Sequence, residues 1–314
     1  MKLSQFKIDE FIKSTMIDKY HEFISNIFKL NSYEKRYFEM SLIRSFENKL
    51  LECFSKGEIN GTTHTYLGQE CNSVAIFENV NFEKDVIWSN HRCHGHFISY
   101  CGKIYELMAE IFGKKNGICG GRGGSQHLHY NNFYSNGILG GSVPQALGAS
   151  FARKSSNSIT IVFIGDGTMG EGVIYECLNI ASLWQCPILF VCENNSIAQT
   201  TTIEQNLAGS IENRVKSFNV NFDKCSKYDF DEISKKSKKI INFIRMKKKP
   251  AFLEIESIRL GPHSKGDDTR NKKKINELLK KDIFLKIKKK IKHSTEIEKL
   301  TADIINNVYL KVKN

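Results

Sequence analysis

The chain has 314 residues, a length that suits one large domain or two small ones. Hydrophobic residues make up 40% of it, which excludes disorder over most of the chain. The 46 Lys and Arg residues exceed the 34 Asp and Glu residues and give a formal net charge of +12. Such an excess raises the question of an anionic partner. Because no apolar run reaches the roughly 18 residues that span a membrane and no signal peptide is indicated, we expect a cytoplasmic protein without membrane contact.

The first part of the chain combines an unpatterned segment with one helix and two unusual clusters. We treat residues 1–30 as an N-terminal extension and residues 31–314 as one α/β domain with Lys-rich C-terminal helices. Ser32 is suited to cap a helix that continues to Phe54, and Gly57 is suited to end it. Histidines concentrate within residues 85–100 and glycines within residues 113–148. Glycine at that density indicates backbone that lies close to another group or adopts positive φ.

The middle of the chain has the pattern of a βαβ unit. Residues 159–164 are almost continuously β-branched or aromatic, as in a strand that is buried on both faces. A glycine turn follows, then a helix over residues 173–184 and a second buried strand over residues 187–192. A further strand is predicted over residues 252–258, and Lys-rich helices from residue 272 onward. The pattern predicts an α/β fold, a three-layer parallel sheet flanked by helices.

The turn after the first of these strands has two interpretations. Residues 165–170 (GDGTMG) match the glycine pattern of a dinucleotide site, and the next strand ends with Glu193 at the distance expected for a ribose contact. A nicotinamide oxidoreductase is therefore one candidate. However, Asp166 stands where a bare pyrophosphate would pass, and its carboxylate would repel phosphate unless a divalent cation lies between them. Because Asn195 follows the adjacent strand, a carboxylate and an amide oxygen suited to Mg²⁺ meet at this edge.

Motifs along most of the chain resemble one enzyme family. Besides residues 166–195, the similar segments are residues 63–70 (THTYLGQE), 90–95 (NHRCHG), 123–127 (GGSQH), 137–140 (GILG) and 261–268 (GPHSKGDD). Together they resemble the alpha subunit of the thiamine diphosphate-dependent first component of 2-oxo acid dehydrogenase complexes. That family includes the pyruvate, branched-chain and acetoin dehydrogenases. The resemblance implies the thiamine diphosphate-binding fold, specifically its diphosphate-binding domain.

The resemblance also implies roles for individual residues. Mg²⁺ would be held by the side chains of Asp166 and Asn195 and by the backbone carbonyl of Ile197. The cofactor would be bound by residues on several loops: His91, Arg92, Gly137, Leu139, Asp166, Gly167, Thr168, Asn195 and His263. Among these, Gly167 and Thr168 would offer N–H groups to the diphosphate, Arg92 would pair with a phosphate oxygen, and Leu139 would support the folded cofactor. His64, His94 and His263 would be the catalytic residues.

The reaction implied by the resemblance is the thiamine diphosphate- and Mg²⁺-dependent decarboxylation and oxidation of a 2-oxo acid, or of acetoin. The acyl group would pass to a lipoyl group on a transacylase. A beta subunit would carry the activating Glu, so we expect an α₂β₂ assembly in which this chain alone is inactive. A two-subunit enzyme of the same kind that uses another acceptor, such as a sugar intermediate, is the main competing interpretation.

The histidines and the lysines allow two further interpretations. The histidines at 91, 94 and 96 and at 127 and 129 could form a zinc site, although no carboxylate or thiolate is spaced to complete it. The lysines within residues 235–292 could bind nucleic acid, but their spacing is typical of solvated helix faces, and we expect no nucleic-acid partner.

Two residues depart from the pattern of the family. Gln126 stands where the family usually has methionine, and Pro262 stands where glycine is frequent. Both positions lie in motifs next to the histidines that would face the substrate. The identity of the substrate therefore stays open.

Overall fold

The computed structural model describes residues 32–264, residue 268 and residues 270–314, so the predicted extension over residues 1–30 lies outside the described residues. The helices, in chain order, are α1 (Ser32–Ser55), α2 (Glu70–Phe77), α3 (His94–Cys101), α4 (Ile104–Ile111), α5 (Ser142–Ala152), α6 (Gly172–Leu183), α7 (Ile203–Asn206), α8 (Ile211–Lys216), α9 (Phe230–Lys247), α10 (Lys272–Lys281), α11 (Ile283–Lys288) and α12 (Ser294–Lys313). The strands are β1 (Val86–Ser89), β2 (His129–Tyr130), β3 (Phe133–Ser135), β4 (Thr160–Gly165), β5 (Ile188–Asn194), β6 (Ile197–Ala198), β7 (Thr201–Thr202), β8 (Asn221–Cys225) and β9 (Ala251–Glu256).

The described residues form two compact units, each assembled from separate segments of the chain. Residues 75–91 and 129–259 form a sheet unit. Residues 32–74, residues 92–128 and the described residues from 260 onward form a helical unit. The prediction of one α/β domain over residues 31–314 stays a prediction, and the described residues group into these two units.

The sheet unit contains a seven-stranded sheet in the order β2-β3-β1-β4-β5-β9-β8. All neighbouring pairs are parallel except β2 with β3. β4 pairs with β5 in register from Thr160 with Ile188 to Gly165 with Glu193. The carboxyl ends of these two strands therefore lie side by side, as the crossover of a βαβ unit requires. The prediction of an α/β fold with a parallel sheet is confirmed.

Burial explains why β4 and β5 read as continuous apolar runs. Consecutive residues such as Ile161, Val162 and Phe163 are all fully buried, so both faces of the sheet are covered. Helix α5 packs against β1 and β4, while α9 packs against β5, β8 and β9. The predicted helix over residues 173–184 and strand over residues 187–192 agree with α6 and β5 to within two residues.

Helix α1 is central to the helical unit, because it packs against both α12 and α11. Arg44 joins three segments, since its guanidinium donates to Glu70 at 2.9 Å and to Asp282 at 2.9 Å. Tyr37 stacks on Phe284 with ring centroids 4.9 Å apart. The predicted helices after residue 272 are confirmed as α10, α11 and α12.

The Lys-rich part of the chain forms amphipathic helices in both units. In α9, Ile233, Ile240 and Ile244 are buried, while Lys235 and Lys238 are exposed. In α10, Lys272 to Lys274 are exposed. These lysines lie on solvated helix faces and contribute part of the net positive charge. Among the described helices, none combines the length and the hydropathy needed to cross a membrane.

The nine cysteines are all free, and eight are buried, with Cys119 the partly exposed one. No two of them form a Cys-x-x-Cys pair, and their burial suits small hydrophobic residues. Burial raises the pKa of the Cys177 thiol to about 11 and that of Cys225 to about 12. Their thiols therefore stay protonated at neutral pH and are poor nucleophiles.

Candidate active site

In the sheet unit, the ends of β4 and β5 bring Asp166 and Asn195 together. Asp166 opens a short 3₁₀ turn (Asp166–Gly170) directly after β4, and Asn195 directly follows β5. Asp166 is 3% exposed, and the backbone N–H of Asn195 donates to its Oδ1 at 3.3 Å. Asp166 and Asn195, which lie 29 positions apart in the sequence, are thus in contact, and we call this pair the switch cluster.

An unsatisfied atom in the switch cluster indicates what it is suited to hold. The side-chain Oδ1 of Asn195 is buried and accepts no hydrogen bond from any described residue. A buried carbonyl without a partner costs about 1–3 kcal/mol. A hard cation would satisfy this oxygen. Together with the Asp166 carboxylate, the Asn195 oxygen would supply two of the oxygen ligands that Mg²⁺ prefers. The donor set therefore fits Mg²⁺.

The third predicted metal ligand lies in the next strand. Ser196, with φ 63°, turns the chain from Asn195 into β6, which begins at Ile197. The Ile197 carbonyl accepts from Arg259 Nη1 at 3.5 Å, the outer limit of a hydrogen bond. A carbonyl oxygen has two lone pairs, so this contact leaves capacity for a second partner.

The side chains around Gly167 explain why the turn after β4 needs a glycine at this position. A Cβ added at Gly167 would lie 2.8 Å from the Cβ of Ala198 and 3.8 Å from Cδ2 of Leu139. The bare backbone of Gly167 is thus required, and Thr168 next to it is 1% exposed. Leu139 is 39% exposed although it lies beside this turn, which suits an apolar contact for a ligand. Gly137, on the same loop, and His91, just after β1, are half-buried.

In the helical unit, Arg92 joins the segments that carry His64 and His263. Arg92 is 5% exposed, and its Nη1 donates to the Thr65 carbonyl at 2.7 Å. Its Nη2 donates to the His263 carbonyl at 3.1 Å and lies 3.1 Å from His263 Nδ1. The rings of His64 and His263 meet edge to face with centroids 4.7 Å apart. The structure therefore brings these two predicted catalytic histidines together.

His94 has a different environment from the other two. It is completely buried, and its Nδ1 lies 3.2 Å from both carboxylate oxygens of Glu47. Its Nε2 lies 2.8 Å from Ser125 Oγ and 3.1 Å from the Ser125 carbonyl. Both ring nitrogens are therefore occupied by protein groups, an arrangement that suits a residue that orients its neighbours.

The glycine-rich segment before His127 is held by one buried carboxylate. Glu110, at the end of α4, is fully buried, and its two oxygens accept four backbone N–H groups at 2.6–3.2 Å, those of Cys119, Gly121, Gly123 and Gly124. We call residues 117–127 the anchored loop. Beyond the anchor it carries Ser125, which contacts His94, and Gln126, whose amide Nε2 lies 3.3 Å from His64 Nδ1. The glycines predicted to lie close to another group thus surround a carboxylate.

The comparison with protein families decides between the two interpretations of the glycine turn. The family model of the dehydrogenase E1 component matches residues 38–312, most of the chain. The chain belongs to the dehydrogenase E1 component family. The family prediction made from the motifs is confirmed, and the nicotinamide interpretation of the glycine turn is set aside.

Similar curated proteins refine the position within this E1 family. The chain is 31% identical over 289 residues to a pyruvate dehydrogenase E1 component subunit alpha of Rickettsia typhi, covering 87% of this chain and 88% of that protein. It is 36% identical over 237 residues to the alpha subunit of an acetoin:2,6-dichlorophenolindophenol oxidoreductase of Cupriavidus necator, covering 74% and 71%. The corresponding protein of Bacillus subtilis is 32% identical over 274 residues, covering 84% and 82%. The chain is therefore an alpha-type E1 subunit, and the prediction of an oxidoreductase subunit is confirmed.

The zinc interpretation gains no support within the helical unit of this E1-family chain. His94 is bound by Glu47 and Ser125, and His96 Nε2 lies 3.0 Å from the Tyr66 hydroxyl. Each ring has a partner of its own, so the two histidines of this His-x-His pair make separate buried contacts.

Sequence reasoning missed two buried carboxylates that a simple pattern could have found. Glu47 shares a helical stripe with Ile43 and Leu50, and Glu110 follows Leu107 by three positions. Polar residues on an apolar helix stripe are buried, and a buried carboxylate needs partners. Glu47 and Glu110 were therefore predictable as positioning residues, although their partners, His94 and the anchored loop, were not.

Proposed function

We propose that this chain is the alpha subunit of a thiamine diphosphate- and Mg²⁺-dependent enzyme that decarboxylates and oxidises a 2-oxo acid, or acetoin, and passes the acyl group to a lipoyl acceptor. A beta subunit supplies the activating Glu, and the two subunits form an α₂β₂ assembly. The proposal rests above all on the switch cluster, where Asp166 lies against Asn195 with its unsatisfied Oδ1. The relatives named for pyruvate and acetoin supply the two substrate classes.

The sheet unit would hold the metal and the diphosphate. The side chains of Asp166 and Asn195 and the Ile197 carbonyl would ligate Mg²⁺, whose charge offsets the repulsion between the Asp166 carboxylate and a phosphate group. The backbone N–H groups of Gly167 and Thr168 would donate to phosphate oxygens, since Gly167 has no side chain to block their approach. When bound, thiamine diphosphate supplies the electron sink that the decarboxylation needs.

Apolar and histidine residues of the sheet unit would bind the rest of the cofactor. The partly exposed Leu139 would support its folded shape, and the backbone at Gly137 would hold the aminopyrimidine ring. His91 would contact the cofactor at a position where the family often has a tyrosine. These roles follow from the family resemblance and from the position of Leu139 beside Gly167.

The helical unit would act on the substrate. His64 and His263 would donate hydrogen bonds to substrate oxygens and move protons near neutral pH. Arg92 would fix His263, which it already contacts through two hydrogen bonds, and would also pair with a phosphate oxygen. His94 would act through Ser125 and the anchored loop, because both of its ring nitrogens are engaged there.

Co-expression with the beta subunit tests the proposal. The purified pair should consume pyruvate or acetoin in the presence of thiamine diphosphate and Mg²⁺, with 2,6-dichlorophenolindophenol as an artificial electron acceptor. The chain alone should show no turnover, because it lacks the activating Glu of its partner. Turnover by the chain alone at the rate of the pair would contradict the two-subunit proposal. If a lipoyl protein stays unacylated while the dye is reduced, that result would contradict the proposed transfer of the acyl group to a lipoyl acceptor.

A further inference from the structure

The protonation state of His64 and His263 decides what these rings can offer a substrate. A neutral imidazole has one nitrogen that donates and one that accepts, and the partner of one nitrogen determines the role of the other. In both histidines the Nδ1 atom has a neighbour on the chain. Whether that neighbour donates or accepts determines which ring nitrogen carries the proton.

For His64 the neighbour is Gln126. The Gln126 amide Nε2 lies 3.3 Å from His64 Nδ1 and 3.2 Å from the Thr62 carbonyl oxygen. The reverse orientation of the amide would point its oxygen at the Thr62 oxygen, and two acceptors would repel each other. The amide nitrogen must therefore face both atoms. Because this NH₂ group can only donate, Nδ1 of His64 accepts and its proton is on Nε2.

For His263 the neighbour is Arg92. Its Nη2 lies 3.1 Å from His263 Nδ1 and donates to the His263 carbonyl at the same distance. A guanidinium remains protonated in proteins and has no acceptor atom. His263 Nδ1 therefore also accepts, and the neutral ring has its proton on Nε2.

Both neighbours are held firmly. Gln126 follows Ser125, whose Oγ lies 2.8 Å from the buried His94. The preceding glycines are fixed by Glu110. Arg92 is 5% exposed and is also bound to the Thr65 carbonyl. Groups fixed in this way are preorganised, so their hydrogen bonds select one tautomer before a ligand binds.

We propose that Gln126 and Arg92 are positioning residues that fix His64 and His263 as Nε2–H tautomers. Each neutral ring then has its N–H at Nε2, and in the proposed function this group donates to the carboxylate or carbonyl oxygen of a 2-oxo acid or of acetoin. This use of the tautomers in catalysis rests on the proposed function. The tautomers themselves do not, because they follow from contacts within the helical unit.

Solid-state ¹⁵N NMR of the full chain with labelled histidine tests the tautomers without substrate or cofactor. The spectra would be recorded at about pH 8, where a histidine of ordinary pKa is neutral. Difference spectra with His64→Asn and His263→Asn would identify the two rings among the nine histidines. We expect an unprotonated Nδ1 and a protonated Nε2 in both. A protonated Nδ1 in either ring would overturn the assignment for that residue.

A substitution of Gln126 tests whether this residue sets the tautomer. Gln126→Glu keeps the shape but replaces the donor with an acceptor, so His64 should acquire a protonated Nδ1 while His263 keeps its signals. Gln145→Glu makes the same change at an exposed position of α5 and should leave both rings unchanged. If the acidic variant does not fold, Gln126→Met removes the donor without a charge and should make an Nδ1–H form of His64 detectable. A folded variant in which His64 stays entirely Nε2–H would overturn the role of Gln126.

Discussion

Asn194 and Asn195 are neighbours of the same type with opposite roles in the folded chain. Asn194 Nδ2 donates to the buried Glu254 at 2.8 Å, and its Oδ1 accepts from the Ser196 N–H at 3.0 Å. The Asn195 Oδ1, by contrast, is buried and accepts no hydrogen bond from the described residues. Asn194 therefore stabilises the fold, whereas Asn195 carries an unsatisfied group that a bound cation would satisfy.

This contrast predicts opposite effects of two alanine substitutions. Without metal and cofactor, Asn194→Ala should lower the free energy of unfolding by about 1–2 kcal/mol, because Glu254 loses a buried partner. Asn195→Ala should leave it unchanged or raise it by up to about 1 kcal/mol, since a buried unsatisfied carbonyl is removed. Urea unfolding of the two variants measures both values. An equal loss in both would contradict the assignment of Asn195 as a residue kept for a ligand.

The anchored loop illustrates how a structural element depends on one carboxylate. The loop has few apolar side chains with which to pack, and Gly120, Gly121 and Gly124 adopt positive φ of 58–76°. Glycine residues lose much conformational entropy when they are ordered. Four hydrogen bonds to the charged Glu110 offset part of that loss, as hydrogen bonds to ionised groups contribute more than neutral ones.

Glu110→Gln should therefore loosen the loop. The glutamine NH₂ would face backbone N–H groups that now donate to a carboxylate oxygen, and those groups would lose their acceptor. We expect trypsin to cleave after the exposed Arg122 roughly tenfold faster or more, which corresponds to a loss of about 1.4 kcal/mol in local stability. Glu106→Gln on the same helix serves as the control, because Glu106 pairs at 3.4 Å with Lys103 outside the loop. Equal cleavage rates in the two variants would contradict the anchoring role.

At the scale of the whole molecule, local patterns predicted the sheet unit well. The continuous apolar runs identified β4 and β5, because a strand buried on both faces has no polar period. The glycine turn with Asp166 and the position of Asn195 then followed from strand direction alone. The predicted roles of the site residues came from the family resemblance, and they stay predictions.

The arrangement of the helical unit was much less accessible to sequence reasoning. Its segments are far apart in the chain, and contacts such as Arg92 with His263 join residues 171 positions apart. No local period encodes such contacts, since they depend on how helices pack. The partners of His94 illustrate this, because Glu47 and Ser125 could be identified only from the structure.

The central claim is that the switch cluster binds Mg²⁺ together with thiamine diphosphate. Calorimetric titration of thiamine diphosphate into the full chain with its beta subunit, with Mg²⁺ and then with excess chelator, tests it most directly. We predict saturable binding that requires the metal and that weakens about tenfold or more in Asn195→Ala, while NAD under the same conditions shows none. Binding of NAD, or thiamine diphosphate binding that is indifferent to both the metal and Asn195, would contradict the account.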